Sequence, residues 1–231
     1  MILNMLDKMI PYEENLFFVI NGAHSNFMDG MMWLFSGFPL WIFPLTVFIF
    51  ILVHKVNRRQ WIPVLLAIIL VFVLCDQFSS HLIKPLFQRE RPTHYPEIME
   101  HVRTLYGYKG GRYGFISGHA TNSFGFALFT SLLLRNKYYT LFIMSVAFVI
   151  SYSRIYLGVH FISDVIGGVT AGMIIGYLVY KLYSFIGSKS RYYCIENHYT
   201  MVRINRMTII LTSYLVLSSL LGEAIINILW Y

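Results

Sequence analysis

The run Trp61–His81, WIPVLLAIILVFVLCDQFSSH, passes without a break into Leu82–Pro92, LIKPLFQRERP. No charge interrupts it from Trp61 to Cys75, and the first acid is Asp76. A helix needs about 20 largely apolar residues to cross a hydrocarbon core about 30 Å thick. This stretch has that length and ends in Lys84, Arg89 and Arg91. It reads as a membrane helix that delivers a cluster of cations to one face of the bilayer.

Working outward, similar apolar runs lie at Met31–Val53, Ala120–Leu134, Tyr138–Tyr156, Ile162–Ile186 and Met207–Trp230. The Ala120 run is short and opens with small polar residues, which suits a helix that starts beside a protein-lined site. Leu16–Met28 is apolar but broken by Asn21-Gly22, and it reads as a helix lying on the membrane surface against the bundle. Composition agrees. Of 231 residues, 57% are hydrophobic and only 13% charged, whereas soluble domains carry about 25% charged residues. An aromatic content of 17% excludes disorder. The expected fold is all-α: a polytopic membrane protein of about six transmembrane helices with an N-terminal interfacial helix, forming a single domain over residues 1–231.

The charges give an orientation. His54–Gln60, Arg135–Lys137 and Lys181–Arg206 are basic connections, and an excess of Lys and Arg marks the cytoplasmic side. The loop over about 187–206 is then cytoplasmic, and the loop over about 84–119, together with Ser153–Phe161, lies on the outer face. Lys84–Arg112 nevertheless holds the bases Lys84, Arg89, Arg91, Arg103, Lys109 and Arg112 against only Glu90, Glu97 and Glu100. A cationic outer loop needs an anionic partner. The net charge of +7 therefore divides between topology on one face and an anionic substrate on the other, and nucleic acid drops out as a partner.

Three segments on that outer face carry chemistry. Lys84 and Arg91, the latter stiffened by Pro92, can clamp phosphate. Ser117-Gly118-His119 opens a helix whose N-terminal amides form an anion site, with His119 placed to protonate a leaving oxygen. Ser153-Arg154 is followed by His160 and Asp164, four residues apart and able to touch if both lie on one helix. A carboxylate on one imidazole nitrogen fixes the tautomer and leaves the other free as a nucleophile. Taken singly, each has a plainer reading: a solvated basic loop, a helix-capping serine, a structural His–Asp pair.

Taken together, the segments resemble the type 2 phosphatidic acid phosphatase superfamily of membrane lipid phosphatases, whose motifs read K-x6-R-P, P-S-G-H and S-R-x5-H-x3-D. The first and third match in full; in the second, Ile116 stands where the family has proline. The resemblance implies that His160 forms a phosphohistidine, that Asp164 orients it and that His119 protonates the leaving alcohol. It implies that Lys84, Arg91, Ser117, Gly118 and Arg154 bind the phosphoryl oxygens, with no metal and no cofactor. It further implies a bacterial enzyme of the inner (cytoplasmic) membrane whose active site faces the periplasm.

Among the short envelope enzymes of that superfamily, the bases beyond the cradle, Arg89, Arg103, Lys109 and Arg112, favour a head group with more than one phosphate. Lipid A is the preferred substrate. Undecaprenyl diphosphate and phosphatidylglycerophosphate or phosphatidic acid are alternatives, as is transfer of the phosphate to another lipid; an anion transporter is disfavoured because the bases gather on one face. Asp76, Arg89 and Arg112 are expected to support the site. Gly167, Gly168, Gly172 and Gly176 form small-xxx-small patterns that predict close helix packing.

Overall fold

The computed structural model describes residue 6, residues 8–188 and residues 200–224. Most of the expected cytoplasmic loop, at 189–199, lies outside the described residues, as does the end of the last apolar run. In chain order the main helices are α1 (Ile10–Gly22), α2 (Asn26–Ser36), α3 (Ile42–Val53) and α4 (Arg58–Phe87). Then follow α5 (Gly118–Leu134), α6 (Lys137–Tyr156), α7 (Ile162–Ser188) and α8 (Met201–Leu220).

The protein is an all-α membrane protein. Helices α4, α6 and α7, of 30, 20 and 27 residues, are each long and apolar enough to cross a bilayer. The pair formed by α2 and Pro39–Val53 makes a fourth crossing if its two parts act as one. Two expectations change here. Met31–Val53 is not one straight span: the pair bends by 69°, because Gly37 is extended and the ring of Pro39 cannot continue a helix from the preceding turn. Leu16–Met28 is not one surface helix either. It is divided between α1 and α2, and Ser25 starts the second by accepting a hydrogen bond from the Met28 amide at 3.2 Å.

Two apolar runs fall short of the other spans. Helix α5 has 17 residues, about 26 Å at 1.5 Å per residue, and begins with the polar sequence GHATNS. Helix α8 carries Arg203, Asn205 and Arg206 in its first two turns. Large apolar side chains such as Leu66, Phe148, Ile166, Leu178 and Ile209 point outward from the bundle, as a hydrocarbon solvent allows and water does not.

Helices α5 and α7 form the centre. A Cβ on Gly168 would lie 2.6 Å from the Ser117 carbonyl oxygen, one on Gly172 2.3 Å from that of Thr121, and one on Gly176 2.4 Å from that of Gly125. Only hydrogen fits at these positions, so the backbones approach as the small-residue spacing predicted. The start of α5 is thereby held against the start of α7.

The basic connections gather at one end. Arg203 donates to the His54 carbonyl at 2.5 Å, and Asn136, which caps α6, donates to Asn205 at 2.7 Å. The end of α4, the start of α5, the end of α6 and the start of α7 meet at the other end, and there lie the three motifs.

Candidate active site

Each motif is delivered by a local device. Near its end, α4 widens into a π-helical segment, Gln77–Ile83, just before Lys84; such turns recur at functional sites because they re-aim side chains. A Cβ on Gly118 would meet Ser79 Oγ at 3.4 Å and both Ser80 Oγ and Lys84 Nζ at 3.9 Å. Lys84 thus faces the start of α5. The loop from Lys84 to Ser117 folds back through a short antiparallel bridge between Glu90 and Tyr113, which sets Arg91 beside the second motif. The Arg91 side chain donates from Nε to the Tyr113 carbonyl at 3.2 Å and from Nη1 to the Val159 carbonyl at 3.4 Å.

Ser117 sits at the cap position of α5 but makes no side-chain cap bond. Its hydroxyl is buried without a hydrogen-bond partner among the described residues, so the plain reading as a capping serine fails. Its amide donates to the Asp164 carbonyl at 2.9 Å.

After α6 the chain turns sharply at Gly158, whose φ of +74° is unstrained only in glycine. The amides of Val159 and His160 then bond back to the Arg154 carbonyl at 3.1 and 3.2 Å. His160 precedes α7 and Asp164 lies in its first turn. The pair therefore meets around a helix start and not along a helix face, as the sequence spacing suggested. Asp164 Oδ2 accepts from the Phe161 amide at 3.0 Å, the reciprocal bond of a capping box, and contacts His160 Nδ1 at 3.3 Å. Both side chains are buried. Burial and then the cations Arg91, Arg154 and Lys84 push the His160 imidazole well below its ordinary value of 6.5. It is neutral near pH 7, with Nε2 left over for chemistry.

Arg154 is buried and bonded to the Ser36 hydroxyl and to the Tyr108 hydroxyl at 3.2 Å, while its Nε has no partner among the described residues. His119, in the first turn of α5, opens onto a cleft of about 430 Å³. Beyond His119, Ser36, Asn122 and Ser123 at one end, the cleft wall is chiefly apolar, with Phe35, Phe48, Phe126 and Leu215 among its residues.

The structure thus brings together Lys84, Arg91, Ser117, Gly118, His119, Arg154, His160 and Asp164. It does not bring the extra bases to the same cradle. Arg89 is buried behind Asp164, to which it donates at 2.8 Å. Arg103 pairs with Asp29 at 2.5 Å, and Arg112 pairs with Glu90 at 2.7 Å on an exposed surface. Of the four, only Lys109 makes no ion pair among the described residues. Asp76 is exposed and accepts from Ser80 at 3.2 Å, one step removed from Lys84. Sequence reasoning missed Glu13, Ser36 and Tyr108, which reach Arg89, Ser163 and Arg154 from distant segments and belong to no spacing pattern; it also passed over Ser163, a variable position inside the third motif that bonds Arg89 and Glu13.

A profile of the PAP2 superfamily matches residues 60–187, the part of the chain that contains all three motifs. The chain belongs to the PAP2 superfamily. The resemblance and the phosphatase class expected from the motifs are borne out. Over 184 residues, 80% of this chain and 78% of the relative, it is 44% identical to the lipid A 4'-phosphatase of Porphyromonas gingivalis. It is 34% identical over 178 residues to the lipid A 4'-phosphatase of Bacteroides thetaiotaomicron, covering 76% of this chain and 79% of that one. The crystal structure of Aquifex aeolicus LpxE superposes with a TM-score of 0.54 at 29% identity, over 74% of this chain and 95% of that one. A Bacillus subtilis PAP2-type phosphatidylglycerolphosphate phosphatase shares the fold at a TM-score of 0.60 and 20% identity, over 82% and 94% of the two chains.

Proposed function

We propose that this chain removes the 4'-phosphate from lipid A by way of a phosphohistidine at His160. The carrying observation is the buried contact of His160 Nδ1 with Asp164 at 3.3 Å, with Lys84, Arg91 and Arg154 all acting on the same imidazole. His160 Nε2 attacks phosphorus, and the bond from phosphorus to the sugar oxygen breaks. Protonated His119 gives its proton to that oxygen, so the lipid leaves as an alcohol. Neutral His119 then takes a proton from water, whose oxygen attacks phosphorus. The phosphorus–nitrogen bond breaks, its electron pair returns to His160, and inorganic phosphate leaves.

Asp164 stabilises the imidazole as it gains positive charge. Lys84, Arg91 and Arg154 balance the charge of the transferring phosphoryl group, while the Ser117 hydroxyl and the amides at the start of α5 supply fixed donors. The choice of lipid A rests on the two lipid A 4'-phosphatase relatives, and not on the extra bases, which are largely neutralised by acids. The cleft beside His119 suits an acyl chain.

In this reading there are six crossings: the bent α2–α3 pair and α4 to α8. The basic ends face the cytoplasm of a bacterium and the site opens to the periplasm of its inner membrane. Phosphate release by purified protein is the test. Lipid A should be turned over fastest and lipid A lacking the 4'-phosphate hardly at all; faster release from undecaprenyl diphosphate or phosphatidylglycerophosphate would overturn the substrate.

A further inference from the structure

Arg89 is the most deeply buried base of the outer loop, 1% exposed, and it binds two carboxylates. Nη1 donates to Asp164 Oδ1 at 2.8 Å and to Ser163 Oγ at 2.6 Å, while Nη2 donates to Glu13 Oε1 at 2.6 Å. Its guanidinium also stacks over Phe161 at 4.5 Å. Glu13, on α1, is itself held from the other side: Oε1 accepts from the Ser163 hydroxyl and Oε2 from the Ser163 amide, both at 2.8 Å. Phe17, one turn on, packs against Phe161 with ring centroids 5.6 Å apart. A segment about 150 residues away is thus bonded at every available oxygen into the group behind His160.

We propose that Glu13 is a positioning residue for the phosphotransfer step, acting through Arg89 on Asp164. The inference rests on the reading of His160 as nucleophile. Its physical content is a division of charge. One guanidinium shared between two carboxylates leaves Asp164 with negative potential toward the imidazole. With Glu13 neutral, Arg89 compensates Asp164 alone, and the carboxylate stabilises the phosphorylated, cationic imidazole less. Glu13 also fixes the guanidinium fork, so that Nη1 is aimed at Asp164 Oδ1 and Oδ2 remains free for the Phe161 amide and His160.

The test is steady-state hydrolysis of lipid A by purified full-length protein in detergent, with kcat and KM separated and thermal midpoints recorded. Glu13→Gln keeps the shape and removes the charge. It should lower kcat about tenfold with KM changed by less than about twofold, because only the transition state needs the charge. Glu13→Asp should recover part of the loss. Arg89→Gln leaves Glu13 and Asp164 facing each other without their cation. In that background Glu13→Gln should raise kcat or leave it unchanged, so that the two substitutions are strongly non-additive. A merely structural Glu13 would lower the midpoint and give the same fold-loss in both backgrounds.

Ser163→Ala, which removes one support of Glu13, should lower kcat in the same direction and serves if Glu13→Gln does not fold. Asp164→Asn separates the two levels of the account. If it collapses kcat while Glu13→Gln, or Ser163→Ala in its place, stays within about twofold of native, the positioning role is overturned and the nucleophile reading stands. If Asp164→Asn itself leaves kcat intact, the nucleophile reading falls first.

Discussion

The backbone amide of Ser117 donates to the carbonyl oxygen of Asp164 at 2.9 Å. This one bond ties the start of α5 to the first turn of α7, and so ties the proposed phosphate-binding amides to the acid behind His160. The neighbouring glycines make it possible. A Cβ on Gly168 would stand 2.6 Å from the Ser117 carbonyl, so the two helix starts share a single rigid junction.

The glycine seam should therefore be intolerant of the smallest addition. Gly172→Ala places a methyl against backbone 2.3 Å away, and overpacking of this kind costs about 1–3 kcal/mol. The thermal midpoint in detergent should fall, and kcat should fall with it as the junction shifts. Gly111→Ala, with nothing among the described residues within 4 Å of its Cβ, should change neither. Equal midpoints for the two variants would contradict the seam.

The state of His160 makes a prediction about pH. Its imidazole lies well below 6.5 in the folded protein and near 6.5 once unfolded. Below pH 6.5 the unfolded chain binds a proton that the native site refuses, so this contribution to stability is complete above pH 6.5 and is lost as pH falls. The loss approaches about 1.4 kcal/mol per pH unit. Thermal midpoints of native protein should drop more steeply from pH 7 to pH 5 than those of His160→Gln. Parallel curves would mean that the native imidazole titrates normally.

The cleft next to His119 should matter to the lipid and not to the chemistry. Ile143 lines it, and Ile143→Trp should fill part of the 430 Å³. KM for lipid A should rise about tenfold, as losing a few buried methylenes of contact would require. Hydrolysis of a short soluble phosphate monoester should stay within about twofold. A proportional loss on both substrates would place the cleft outside lipid binding.

How much of this was legible in the chain depends on sequence distance. Lys84, Arg91, Ser117, His119, Arg154, His160 and Asp164 fall in three short motifs, each shaped by one helix end or one turn, so spacing alone brought their chemistry into view. The seam at Gly168, Gly172 and Gly176 was legible for the same reason, since a four-residue period on one helix is a local signal. The bend between α2 and α3 was written in Gly37 and Pro39, but the unbroken hydropathy of Met31–Val53 hid it. Of the two carboxylates on Arg89, Glu13 was not legible at all. Glu13 reaches the site only because α1 packs on Phe161, a tertiary contact with no periodicity. Arg89, Arg103 and Arg112 looked like free cations for the same reason, since their acids are supplied by folding.

The most direct measurement is a rapid acid-free quench of purified protein with lipid A radiolabelled in its 4'-phosphate, followed by mapping of the labelled residue. The account predicts label on His160, stable in alkali and labile in acid, formed by native protein, formed much more slowly in a His119→Ala variant that lacks the acid for the leaving oxygen, and absent from His160→Ala. Turnover by His160→Ala at a near-native rate, or label on any other residue, would contradict it.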